Sequence, residues 1–252
     1  MFEKQKEIFS QILNDINQSP WISPEEKLVA FRAIEGNKAR RDLMVVGRAL
    51  NGGGTVISKE QLGDKLIIQK FADDIVEQKQ VPENWISLRW VAEGFINPPK
   101  EYNPRKSAFW RVIKEIVESL KIAETNGNDE WSSFLLWSNL YKFSPYDGGN
   151  PCGKLMEIQR EKCVELLSLE IETWKPKNIL MLTGGDWLRR FLKGSKQNLF
   201  KDIRYLNDGS HRYEYLDCVG DLNYGGKIAV AKHPERKKGD IWVEEVLNAL
   251  KD

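Results

Sequence analysis

Long apolar runs are missing from this 252-residue chain. No stretch approaches the ~18 consecutive apolar residues of a membrane span, so no membrane partner is expected. Cysteine is scarce too. Cys152, Cys163 and Cys218 form no Cys-x-x-Cys pair, which argues against a disulfide scaffold and for a reducing compartment. Nor does charge of one sign dominate: 38 basic and 37 acidic residues leave a formal charge of +1. A global field drawing the chain onto DNA or a membrane surface is thereby excluded, and any nucleic-acid contact must come from a local basic patch. The opening MFEKQKEIFSQIL is charged throughout and has no apolar signal-peptide core, so the expectation is a cytoplasmic protein, monomeric and without a cofactor or metal.

What is present suits one globular domain over residues 1–252, 41% hydrophobic and with nine tryptophans that fill its core and seams. Residues 1–40 read as two helices. Phe2, Ile8, Phe9, Ile12, Leu13 and Ile16 recur at helical spacing, and SPEEKLVAFRAIEG offers Ser23 as a cap, Pro24 in the first turn and Gly36 as a stop. Four short segments, LMVV (43–46), FLLW (134–137), NILML (178–182) and KIAVA (227–231), are apolar on consecutive residues, as in strands buried on both faces of a parallel sheet. Helical patterns separate them at 107–120, 155–174 and 184–194, the last with Asp186 as its cap, and a further one closes the chain at 239–252. The alternation predicts an α/β fold: three layers, α/β/α, around a central four-stranded parallel sheet. Residues 56–106 read as an insertion with a helix near 60–78, and 203–219 as a hairpin turning at 207–210.

Ligands of open parallel sheets bind beyond the carboxyl ends of the strands. Those exits read GRALNGGG, SNLYKFSPYDGGNP, TGGD and KHPERKK. The first has the Gly47 and Gly52 spacing of a phosphate loop, but Gly53 stands where the phosphate-gripping lysine belongs and Gly54 where the magnesium-binding hydroxyl belongs. No Gly-x-Gly-x-x-Gly is present either. Asn139, at the second exit, offers a donor and an acceptor side by side, the match to the edge of a pyrimidine such as uracil; the alternative is an amide bonded to loop backbone. His233, at the fourth exit and followed by Arg236, Lys237 and Lys238, suits an anionic ligand. His211 falls in the hairpin turn, away from the exits.

In this order the exits resemble the uracil-DNA glycosylase superfamily over roughly Leu43 to Leu250, outside the insertion. SNLYKFSPYDGGNP is similar to the family's base-reading segment, with Asn139 and Lys142 matching the T-N-x-x-K-C-R-P form of its iron–sulfur class. NPRKSAFWRVI resembles the N-R-F-W stretch of the mismatch-specific class, and KHPER resembles the His-Pro-Ser motif. The resemblance implies a monofunctional glycosylase that flips a base out of DNA and hydrolyses its N-glycosidic bond. Under it, Asn139 reads the base, His233 stabilises the leaving anion and Asn51 places water. Gly47, Arg48 and Lys142 contact substrate; Phe109, Trp110 or Trp90 stacks on the base; Arg236, Lys237 and Lys238 meet the DNA. The departures are specific. No carboxylate lies in GRALNGGG, Glu235 replaces the motif's serine, and Phe143 stands at a cluster cysteine, so only Cys163 matches and no iron–sulfur cluster is expected. Two other readings stay open: a non-catalytic nucleic-acid-binding member of the same fold, and an enzyme of nucleotide or nucleobase metabolism.

Overall fold

The consecutive apolar segments do form adjacent strands. The structure, a computed structural model, describes residues 1–195, 199–206 and 213–251. In chain order it contains α1 (Phe2–Gln18), β1 (Lys27–Ala30), β2 (Ile34–Glu35), β3 (Leu43–Gly47), β4 (Thr55–Ser58), α2 (Lys65–Val76), α3 (Glu83–Ile86), α4 (Arg89–Ile96) and α5 (Ala108–Ser119). There follow β5 (Leu136–Asn139), β6 (Phe143–Pro145), α6 (Gly153–Trp174), β7 (Asn178–Met181), α7 (Gly185–Phe191), β8 (Asp202–Tyr205), β9 (Leu216–Asp221), β10 (Lys227–Ala231) and α8 (Gly239–Lys251).

The main sheet has seven strands in the order β2-β5-β3-β7-β10-β9-β8. Its four neighbours β5, β3, β7 and β10 run parallel, while β2 on one side and β9 and β8 on the other add antiparallel strands. The sheet is therefore mixed and wider than the four strands expected from the sequence. Side chains alternate across it. Met44, Val46, Ile179, Met181, Ile228 and Val230 pack with α1, α2, α6 and α7. Val45, Trp137, Leu180 and Ala229 pack on the opposite face with α4, α5 and α8. Helices thus cover both faces. None of the described helices is long and apolar enough to cross a membrane.

From β3 the chain moves to β5 on one side, then returns past β3 to β7 on the other. The exits of β3 and β7 consequently flank the point where strand order reverses, the usual place for a crevice in an open α/β sheet.

Three local expectations are corrected. The second N-terminal helix does not form: Leu28 to Phe31 are buried, and β1 joins β4 and β6 in a small antiparallel sheet. The residues fitted a helical period, but pairing with strands distant in sequence prevails over that local preference. Asp186 is not the cap of α7. Gly184, with φ of +84°, takes that position, and the Gly185 N–H donates to Asp217 Oδ2 at 2.8 Å. At 131–134 a short 3₁₀ turn precedes β5, so this strand begins two residues later than FLLW suggests. In the 203–219 segment β8 and β9 pair antiparallel; the expected turn at 207–210 and His211 lie outside the described residues.

Within 56–106, β4 completes the small sheet and α2 packs on α1. Trp85 stacks on Trp90 with ring centroids 4.9 Å apart, and both rings contact Trp137 of β5. The insertion thereby builds an aromatic wall along the face of the sheet that carries Asn139.

Candidate functional site

Gly47 and Asn139 are register partners at the ends of β3 and β5. Both lie on the α5 side of the sheet, and their closeness explains the glycine. A Cβ at position 47 would sit 2.4 Å from Asn139 Oδ1 and 3.6 Å from the Phe109 ring. Asn139 is 2% exposed, and its Nδ2 has no partner among the described residues. Such an orphaned buried donor is costly to maintain, and among the described residues the Nδ2 group is not spent on loop backbone.

Phe109, from the first turn of α5, lies near-parallel to His233, with centroids 6.4 Å apart and 26° between planes. His233 follows β10, whose exit is fixed by the Trp242 indole donating to the Lys232 carbonyl at 2.8 Å. The Glu235 N–H donates to His233 Nδ1 at 3.4 Å, which places the proton of a neutral ring on Nε2. Burial holds the imidazole below its ordinary range; the Arg48 guanidinium adds to this and Glu235 opposes it. Gly47 thus pairs with Asn139 and faces Phe109, Phe109 lies beside His233, and burial favours the neutral form of the histidine.

Arg48 lies on the other side of this group, at the reversal point. Its Nε donates to the Thr183 carbonyl at 3.0 Å and its guanidinium stacks over the Trp187 ring at 4.9 Å. Beside it opens a cleft of about 350 Å³, lined by Arg48, Thr183 to Trp187, Arg189, Arg190, Asp217 and Lys232.

Other predicted site residues are placed elsewhere. Lys142 is no ligand: its side chain is 0% exposed and its Nζ lies 2.9 Å from Glu170 Oε1 and 2.7 Å from Ser138 Oγ. This buried pair joins the loop after β5 to α6. Asn51 is exposed, and its Oδ1 accepts from the Gly149 N–H at 2.8 Å. It latches the first exit loop to the second, and its carbonyl is committed there rather than to a water. Trp110 is buried against Trp137, Trp90 and Phe109 and belongs to the core. Trp90 belongs to the aromatic wall of the insertion. Arg236, Lys237 and Lys238 are exposed beyond His233.

The glycine loop is a packed turn rather than a cradle. Gly52, Gly53 and Gly54 have φ of +84°, +76° and +86°. A Cβ on Gly53 would meet Trp85 at 2.3 Å, and one on Gly54 would meet the Ala30 carbonyl oxygen at 2.5 Å.

Sequence reasoning located the exit containing Thr183 but not Trp187, Arg190, Asp217 or Lys232 as cleft residues. Lys232 adjoins His233, which is a usable signal; Asp217 lies on an antiparallel strand with no motif around it. Among the described residues no three His, Cys, Asp or Glu side chains group as a metal site. Comparison with known protein families and with curated proteins finds no match.

Proposed function

We propose that this protein is a glycosylase-like hydrolase that receives a uracil-like base between Asn139, Phe109 and His233 and cleaves its N-glycosidic bond in DNA. The observation that supports this most is the buried Nδ2 of Asn139, without a partner among the described residues, beside a glycine that leaves room for the side chain. Its Nδ2 would donate to a ring carbonyl, and its Oδ1 would accept from the ring N–H. Phe109 would stack on the base. The neutral His233 would donate through Nε2 to the oxygen on which negative charge develops as the bond breaks, the form of electrostatic stabilisation that acts mainly in the transition state. Arg236, Lys237 and Lys238 would meet the phosphate backbone. The fold reading is that of the glycosylase superfamily, with the four parallel strands as its centre and the outer strands as additions.

One observation favours a second reading, base binding without hydrolysis. The first exit has no carboxylate, and the carbonyl of Asn51 is bonded to Gly149, so water near the sugar has no general base from that loop. Uracil release from single- and double-stranded oligonucleotides under single-turnover conditions separates the two. Slow release abolished by Asn139→Ala supports hydrolysis. Binding of deoxyuridine without release supports the second reading, and neither binding nor release refutes both.

A further inference from the structure

The cleft beside Arg48 is chemically unlike the surroundings of Asn139. Four cations, Arg48, Arg189, Arg190 and Lys232, line it against two carboxylates, Asp186 and Asp217. Arg189 is paired with Asp186 at 2.9 Å, and Lys232 lies 3.9 Å from Asp217. Arg48 and Arg190 close no ion pair among the described residues. Arg48 is the unusual one. Half-buried, it loses hydration enough to lower its pKa, and Glu235 acts on it only through the field and not by contact. A guanidinium partly withdrawn from water, held in place by Thr183 and Trp187 and in ion-pair contact with neither carboxylate of the cleft, is suited to an anionic ligand.

The helix that begins at Gly185 does not supply the counterpart. Its first N–H is taken by Asp217, so the guanidinium groups dominate. The cleft also lies at the reversal of strand order, where ligands of open α/β sheets bind.

We infer that this cleft binds a phosphate group, with Arg48 as its central ligand and Arg190 and Lys232 on its flanks. Phosphate suits the site because guanidinium pairs with its oxygens bidentately and its several acceptors can serve more than one cation. A phosphodiester of a DNA strand and the phosphate of a free mononucleotide present this same chemistry. The phosphate assignment stands on the cleft alone. That the bound molecule also carries a pyrimidine rests on the function proposed above.

Calorimetric titration of the full chain with inorganic phosphate, deoxyuridine, deoxyuridine monophosphate and a single-stranded oligonucleotide tests it. The monophosphate should bind at least about tenfold tighter than the nucleoside. Arg48→Gln and Arg190→Gln should each erase most of that preference, while Lys65→Gln, on the distant α2, should leave it intact. Arg190 is exposed, so its replacement reports on the site even if Arg48→Gln does not fold. Arg48-dependent binding of the monophosphate identifies a free nucleotide as the source. Dependence seen only with the oligonucleotide identifies a strand; both support the cleft. Equal affinity for nucleoside and monophosphate in the absence of Arg48-dependent oligonucleotide binding overturns it, as does a phosphate preference that survives both substitutions. Phosphate binding without any nucleoside binding would instead overturn the base-recognition reading and leave the cleft standing.

Discussion

Gly47→Ala is the sharpest perturbation of the proposed base site, because its consequence follows from one distance. The added methyl would sit 2.4 Å from Asn139 Oδ1. Relief of this overlap requires the amide to move by roughly 1 Å, a misplacement of the size that costs about 10²-fold in rate when it affects a positioned group. Overpacking of this kind costs ~1–3 kcal/mol in stability, or roughly 2–4 °C in Tm for each kcal/mol in a chain of this size. Gly52→Ala is the comparator: its φ is +84° and no atom lies within 4 Å of its Cβ position, so it carries backbone strain without contact with the pocket. Deoxyuridine affinity and single-turnover uracil release, read beside thermal unfolding, should fall about 10²-fold for Gly47→Ala and remain near wild type for Gly52→Ala. If Gly47→Ala keeps full binding and release in a folded protein, Asn139 is not the base reader and the reasoning fails.

Two further outcomes follow from the buried charges. Glu170→Gln leaves the Lys142 ammonium without its carboxylate in a site where both side chains are at most 1% exposed; a loss of ~3–5 kcal/mol is expected in urea unfolding, and a combined Lys142→Met, Glu170→Leu variant should recover part of it. His233 has a lowered folded-state pKa from burial and from Arg48, against an ordinary value of 6.5. The unfolded chain therefore takes up its proton first as pH falls, so the contribution of His233 to stability is complete above 6.5 and is lost as pH falls through the folded value. The stability difference between wild type and His233→Gln should be flat from pH 7 to 8 and should move steadily against the wild type below 6.5; a flat difference down to pH 5 would contradict the assignment.

The legible parts of the fold were those whose signal is local. LMVV, NILML and KIAVA are apolar on consecutive residues because both faces of their strands are covered, and each is a strand. The amphipathic pattern of SAFWRVIKEIVESL likewise gives α5, which begins with Ser107 accepting from the Trp110 N–H at 3.4 Å. The region around Leu28 misled because its partners, Ile57 and Pro145, lie far along the chain and leave no trace in local spacing. Lys142 misled for a related reason. A lysine after a strand exit reads as a solvent-facing ligand, and the carboxylate that buries it comes from α6, 28 residues on. Asn51 is the one amide in its loop and so reads as the residue that places water, but the Gly149 N–H that engages it belongs to another exit. Asn139 and His233 do stand at strand exits, as their sequence positions suggest, because exits converge by topology whatever occupies the segments between them.

The two candidate subsites are not electrically independent. Arg48 helps to hold the His233 imidazole neutral, and it also closes no ion pair in the adjoining cleft among the described residues. An anion seated on Arg48 would cancel part of its field at His233. Protonation of His233 would then become easier in the loaded protein than in the free one. Linkage requires the converse: protonated His233 strengthens anion binding by the same factor. For a ligand carrying both a base and a phosphate, the charge of its own phosphate would therefore tune the donor facing its base. A base-reading pocket beside an unrelated, permanently solvated arginine would show no such coupling. The separation is physical: the histidine's titration should shift upward when phosphate binds to the wild type, and should not respond to phosphate once Arg48 is replaced by glutamine.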